Sequence, residues 1–226
     1  MKSSHLVDYL VSLIIEIEQA HPVRVAIDGP DAAGKTTLAQ RLIAPLQSHG
    51  RPVIRASIDG FHNPARIRYG RGKISPEGYY KDSFNYSALK ESLLIPFGPS
   101  GSRRYVSAVF DYQTDSEAQT PIQVAEANAV LLFDGVFLLR SELMAYWDFS
   151  IFIDADFETA LTRAEQRDAI LFGSIEEVRK RYEHRYIPGQ KLYYAESLPR
   201  KRADVVIDNN DPGNPVIIGS LPALSE

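Results

Sequence analysis

The chain has 226 residues, 44% of them hydrophobic and 24% charged, with a formal charge of -4 and no cysteine. That length and apolar content suffice for one domain with a buried core, and they exclude a wholly disordered chain, a disulfide scaffold and cysteine-based metal or thiol chemistry. No apolar run exceeds five residues, against the roughly 18 to 20 of a spanning helix, and the acidic balance argues against affinity built on phosphate neutralisation, so neither membrane nor nucleic acid is an expected partner.

In chain order, Leu6, Leu10, Leu13, Ile14 and Ile17 recur at helical spacing with acids on other faces, which predicts a helix over 4–20, stopped by Pro22. Acids interleaved with apolar residues, and no small-residue cleavage site, make this segment no signal peptide; a cytoplasmic location is expected. Residues 23–27 are short, β-branched and flanked by breakers, as a buried strand is. A glycine-rich turn then leads into a helix over about 35–47. Strands over 52–58, 129–133, 149–153 and 204–207 follow, with helices over 157–171 and 174–186. Near-continuous apolar strands separated by helices predict an α/β fold with a parallel sheet covered on both faces. Residues 60–82 have little periodicity and read as a long irregular, functional loop; a turn over 98–103 leads to a strand over 105–110. No repeat or linker divides residues 1–226, so one domain is expected.

Gly29-Pro-Asp-Ala-Ala-Gly34-Lys35-Thr36-Thr37 completes G-x-x-x-x-G-K-[ST] between a predicted strand and a predicted helix. Glycines let successive N–H groups face one point, and the helix N-terminus adds positive potential there. Gly29, Asp31, Ala32, Ala33, Gly34, Lys35, Thr36 and Thr37 are therefore nucleotide-binding candidates, with Lys35 over the β- and γ-phosphates and the Thr36 hydroxyl on magnesium. Asp59 and Asp134 end two strands, each before a glycine. In an open parallel sheet the ligand crevice lies outside the carboxyl ends of the strands, so one acid can hold the metal and the other can take a proton from an acceptor hydroxyl. Asp28 and Asp154, also at strand ends, read as turn or cap residues. His62 is close enough to Asp59 in sequence to line an acceptor site. Arg66, Arg68, Arg71 and Lys73 read either as a solvated run or as a site for an acidic group, and the helical Lys180, Arg181 and Arg185 as solvated charges. Tyr79, Tyr80, Tyr193 and Tyr194 read as packing residues.

Over about residues 23–210 the chain resembles the uridine kinase family, within the group that includes phosphoribulokinase and bacterial pantothenate kinase. The likeness rests on the P-loop, Ser57-Ile-Asp-Gly-Phe-His62, Tyr80-Lys-Asp-Ser-Phe-Asn85, Phe110-Asp-Tyr112, Val130-Leu-Leu-Phe-Asp-Gly135, and Arg163 through Arg167-Asp168. It implies a three-layer P-loop NTPase sandwich with a lid near 157–186. It also implies transfer from ATP or GTP, with Mg²⁺, to a primary hydroxyl of a small molecule, in the first instance uridine or cytidine. A sugar, sugar phosphate or pantothenate-like acceptor is the alternative, a nucleotide-dependent switch is a different class, and a homo-oligomer stays open. The resemblance assigns Asp59 as the base, Asp82 to the ribose hydroxyls, Tyr112 against the base ring, and Arg163 and Arg167 to the lid. Three departures stand out: Asp134 replaces a glutamate at the metal, Ala169-Ile-Leu-Phe-Gly173 replaces further lid arginines, and Asp115 replaces a base-reading histidine. An ionised aspartate only accepts hydrogen bonds, so Asp115 in the acceptor pocket would suit an amino group or hydroxyls better than uracil.

Overall fold

The computed structural model describes residues 3–220. α1 (Ser3–Ile15) follows the predicted apolar stripe but stops short of residue 20. The Ile17 amide donates to the Ile14 carbonyl (3.3 Å), a tightened last turn, and Ile17 still packs on the core. β1 (Val23–Asp28) is buried throughout, and the P-loop connects it to α2 (Lys35–Ser48). β2 (Val53–Ser57) leads into a 3₁₀ turn over Ile58–Phe61.

The stretch 60–82, expected to be irregular, is largely helical: it holds α3 (Ala65–Arg68) and α4 (Pro76–Asp82). Ser75 caps α4, its Oγ accepting from the Gly78 amide (3.0 Å), and Pro76 occupies the first turn where its missing N–H costs nothing. α5 (Tyr86–Leu89) continues into a wide turn over Lys90–Leu94, an unpredicted element that buries Leu89, Leu93 and Leu94. The strand expected over 105–110 is instead two short pieces. β3 (Arg104–Tyr105) pairs with β6 (Gln123–Val124), and β4 (Phe110–Asp111) pairs with β5 (Ser116–Glu117).

β7 (Val130–Asp134), α6 (Ser141–Met144) and β8 (Phe149–Asp154) follow, then α7 (Phe157–Phe172). α8 (Ile175–Arg181) runs through a wide turn over Tyr182–Tyr186 into α9 (Ile187–Ser197), past the predicted end at 186. The wide turn sits just before Pro188, which has no N–H to close an ordinary helical turn. α10 (Pro199–Arg202), β9 (Val205–Asp208) and β10 (Val216–Ser220) complete the described chain.

The main sheet runs β10-β9-β8-β1-β7-β2. β2, β7, β1, β8 and β9 are parallel as expected, whereas the unpredicted β10 is an antiparallel edge. Side-chain alternation sorts the strands between two cores. Val25, Ile27, Val130, Leu132 and Ile151 face α1 and α2; Ala26, Leu131, Phe133 and Phe152 face the layer built from α4, α5 and α9. Helices thus cover both faces of a mainly parallel sheet, the three-layer arrangement that the sequence predicts. No described helix is long and apolar enough to cross a membrane.

α4 and α9 approach closely because Gly189 has no side chain: a Cβ there would lie 2.8 Å from Tyr79 Cδ1 and 2.9 Å from the Pro76 carbonyl oxygen. Gly189→Val is expected to destabilise by about 1–3 kcal/mol through overpacking, read as a fall of several degrees in melting temperature by thermal denaturation.

Candidate active site

The site lies at the carboxyl ends of the central strands. Gly29 takes φ +150°, and a Cβ there would meet the Ile153 carbonyl oxygen at 2.2 Å; Gly34 takes φ +102° as it enters α2. Only glycine fits both positions. Lys35 is folded back on this loop, its Nζ donating to the carbonyls of Gly29 (3.0 Å) and Pro30 (2.6 Å). Burial lowers its pKa, against the pull of Asp31, Asp28 and the other nearby carboxylates.

A cleft of about 340 Å³ opens beside the loop. Asp31, Ala32, Lys35, Thr36, Asp59, His62, Tyr112, Asp134 and Arg167 all line it, so the structure gathers most of the predicted site into one place. The Asp59 side chain reaches the open cleft, yet the walls hem it in. That desolvation, helped by the Asp31 charge and opposed by Lys35, raises its pKa to about 6. Asp134 accepts from Thr36 Oγ1 (2.6 Å) and from Arg55 (2.5 Å), an arginine on β2 that the sequence did not single out. His62 lies 4.6 Å from the Phe84 ring and 4.9 Å from Tyr112 between centroids. Burial lowers its pKa to about 4, so it is a neutral aromatic surface at pH 7.

Seven predicted residues are not on that lining: Gly29, Ala33, Gly34, Thr37, Asp82, Asp115 and Arg163. Asp82 turns away from the cleft lining and accepts from Arg71 Nε (2.7 Å). Asp115, in a left-handed turn at φ +51°, accepts from the Ala65 amide and from Arg68 (both 2.8 Å) outside the lining. It therefore holds α3 and Arg68. Arg163 donates to the carbonyls of Asn209 (2.8 Å) and Asn210 (2.9 Å) and lines a second, mostly apolar cavity of about 250 Å³. Gly34 and Thr37 line that cavity too, with Asn209, Pro212 and Pro215. Ala33 is buried behind the loop, its carbonyl accepting from Asn209 Nδ2 (2.7 Å). The loop over 209–215 carried no signal in sequence, because its role depends on β9 returning beside β8.

Two charges readable as solvated are not. Arg68 is buried on the cleft lining, and Arg185 is only 4% exposed. Arg185 donates to the carbonyls of Arg68, Gly72, Lys73 and Ser75 at 3.1–3.3 Å, pinning that stretch to the α8–α9 run. Asp28 is likewise more than a turn cap: wholly buried, it accepts from the amides of Gly29 (2.7 Å) and Leu139 (3.1 Å) and from the Tyr193 hydroxyl. Asp154 pairs with Arg200 (2.8 Å).

The phosphoribulokinase/uridine kinase family model matches residues 24–211 of this chain. The chain belongs to that family. It is 26% identical over 190 residues to uridine-cytidine kinase B of Dictyostelium discoideum, covering 83% of this chain and 74% of that one. A solved structure of a possible uridine kinase from Bacillus stearothermophilus is 24% identical with a TM-score of 0.69, covering 90% of this chain and 97% of that one. A candidate fructose transport system kinase from Silicibacter sp. TM1040 is 22% identical with a TM-score of 0.73, covering 91% and 98%. The two structures bear on the fold alone. Family membership makes the chain a phosphotransferase with a hydroxyl acceptor and a nucleotide as phosphoryl donor, and in such a kinase the cleft residues above are the candidates for the chemistry.

Removing the arginine that ties the kinase's loop to its helices should loosen the loop before the sheet. Arg185→Met is expected to speed amide hydrogen exchange over 68–75 while β1 and β7 keep their protection, since local openings follow local contacts.

Proposed function

We propose that the chain is a small-molecule kinase that moves the γ-phosphoryl group of ATP or GTP to a primary hydroxyl, with a nucleoside of uridine or cytidine type as the leading acceptor. The observation that carries this reading is Asp59, a carboxyl with a pKa raised to about 6, facing the same cleft as Lys35 and Thr36. A base poised near the working pH is what proton removal from an alcohol needs. Asp59 takes the hydroxyl proton as the acceptor oxygen bonds to the γ-phosphorus and the bond to the β-phosphate oxygen breaks. Lys35 leaves the loop carbonyls for the triphosphate and offsets the negative charge that develops on it.

Thr36 and Asp134 offer a hydroxyl and a carboxylate 2.6 Å apart. Among the described residues no group of three or more His, Cys, Asp or Glu side chains could hold a metal alone. One carboxylate with one hydroxyl suits Mg²⁺, which keeps waters and takes the rest of its oxygens from substrate phosphates. Bound there, the ion would neutralise phosphate charge in transfer, and Asp134 would have to share its oxygens between the ion and Arg55. The apolar cavity beside Thr37 and Arg163 is the place for the donor's base. His62, Phe84 and Tyr112 form an aromatic wall on the acceptor side, which favours a flat ring and hence a nucleoside. Arg68 and Arg181 on the same lining favour the second reading, an acceptor carrying phosphate or carboxylate. Residues 1–226 act as one kinase unit in either case.

ADP release measured against nucleosides, sugars, sugar phosphates and pantothenate tests the proposal. Turnover is expected with at least one acceptor, whereas turnover indifferent to every acceptor would describe a switch and overturn it. Lys35→Ala should lower transfer severely. Asp59→Asn should lower it by about 10²- to 10⁴-fold while MgATP still binds. For the parent, kcat/KM should fall tenfold per pH unit below about 6, because only ionised Asp59 accepts the proton; a flat profile from pH 5 to 7 would place the base elsewhere.

A further inference from the structure

The P-loop pattern leaves its third position free, and this chain places a carboxylate there, Asp31. A fixed negative charge in a phosphate cradle repels the triphosphate, so the side chain is unsuited to the phosphates that the loop amides hold. It is nonetheless firmly placed. Oδ2 accepts from the Tyr79 hydroxyl of α4 (2.6 Å) and from Gln190 Nε2 of α9 (2.7 Å). Both donors are buried, at 7% and 2% exposure, and burial raises the Tyr79 pKa so far that it stays a donor. No donor among the described residues reaches Oδ1, and Asp31 lines the cleft with Asp59. The two carboxylates are near enough for Asp31 to help raise the Asp59 pKa. Asp82, which the family resemblance assigned to acceptor hydroxyls, is committed to Arg71 instead.

We propose that Asp31 Oδ1 accepts a hydrogen bond from a second hydroxyl of the acceptor, beside the one that Asp59 deprotonates, so that the site selects polyols. This rests on the kinase reading. Two carboxylates with one open oxygen between the P-loop and β2 leave room for two hydroxyl donors of one molecule. Each bond is charge-assisted and so stronger than one between neutral groups. An acceptor lacking the second hydroxyl leaves Asp31 Oδ1 without a donor in the closed-off site, the situation by which sites built for a hydroxyl reject the deoxy analogue. Anchoring by α4 and α9 fixes where that oxygen sits, so it discriminates by position as well as by charge.

The test compares the parent with Asp31→Ala and the near-isosteric Asp31→Asn, using uridine, D-ribose and glycerol as acceptors. Uridine and ribose are each set beside an analogue lacking one hydroxyl: 2′-deoxyuridine, 3′-deoxyuridine and 2-deoxy-D-ribose. Binding of MgATP alone is measured for all three proteins. The expected result is a parent that prefers a polyol to its deoxy analogue and an Asp31→Ala protein that loses about 10- to 100-fold in kcat/KM for the polyol. The loss should be smaller for the deoxy analogue, with the MgATP Kd within about threefold, and the acid limb near pH 6 should move down in Asp31→Asn. A parent indifferent to every missing hydroxyl, equal losses for polyol and analogue, or a parent that binds MgATP but phosphorylates none of the three polyols would overturn the proposal. So would MgATP binding weakened about tenfold or more by either variant, which would put Asp31 on the donor. A parent that binds no MgATP fails the kinase reading itself, and the proposal with it.

Discussion

The buried carboxylate of Asp28 is the constraint on which the site depends. It ends β1 at the centre of the sheet, and it accepts from the first amide of the P-loop, from Leu139 after β7, and from Tyr193 on α9. Two of those groups, Leu139 and Tyr193, come from parts of the chain more than 100 residues from Asp28. Left without this acceptor, each buried donor would cost about 1–3 kcal/mol. Burial raises the Asp28 pKa to about 6, so the carboxylate is held ionised by its donors and Lys35 against desolvation. A phosphate cradle needs a rigid base, and Asp28 sets its position relative to both helical layers.

A second carboxylate repeats the pattern one turn further out. Asp31 joins the P-loop to α4 and α9 as Asp28 joins β1 to α9. Arg185 then fastens the stretch 68–75 to the same α8–α9 run through four carbonyls. The P-loop, the stretch 68–75 and the α8–α9 run are therefore one connected body: displacing 68–75 must break those contacts or carry the α8–α9 run with it. The C-terminal end of α7 is different in kind. Ile170 is 96% exposed while Leu171 and Phe172 line the cleft, an apolar edge where the resemblance leads one to expect arginines.

The acceptor side shows how a substitution can be read correctly as chemistry and still be misplaced. Asp115 is an acceptor-only group, as its residue type requires, but the groups it satisfies are the Ala65 amide and Arg68. Asp82 is similar, with Arg71 as its partner. In both cases a nearby arginine in the stretch 66–71 claims the carboxylate. Composition alone left those arginines open between solvent and an acidic group, because a charge's partner across a turn cannot be known until the turn is built.

Sequence by itself determined the P-loop, the buried strands with their strand-end acids, and the covered sheet. These signals are local: glycines at φ values only glycine tolerates, β-branched runs of strand length, and a Lys-Thr pair opening a helix. Tertiary structure decided the rest. The antiparallel β10 and the split of 105–110 depend on which neighbouring segment each short strand pairs with, and the helices inside 60–82 on Gly189 and Arg185 far along the chain, which local pattern does not register. It also decided that Asp31 lines the cleft while Asp82 does not, that Arg185 is a buried tie, and that Arg55 shares Asp134 with Thr36. The physical reason is common to all of these: a charged side chain takes its role from whichever opposite charge or open space the packed chain brings within about 3 Å, hydrogen-bond range.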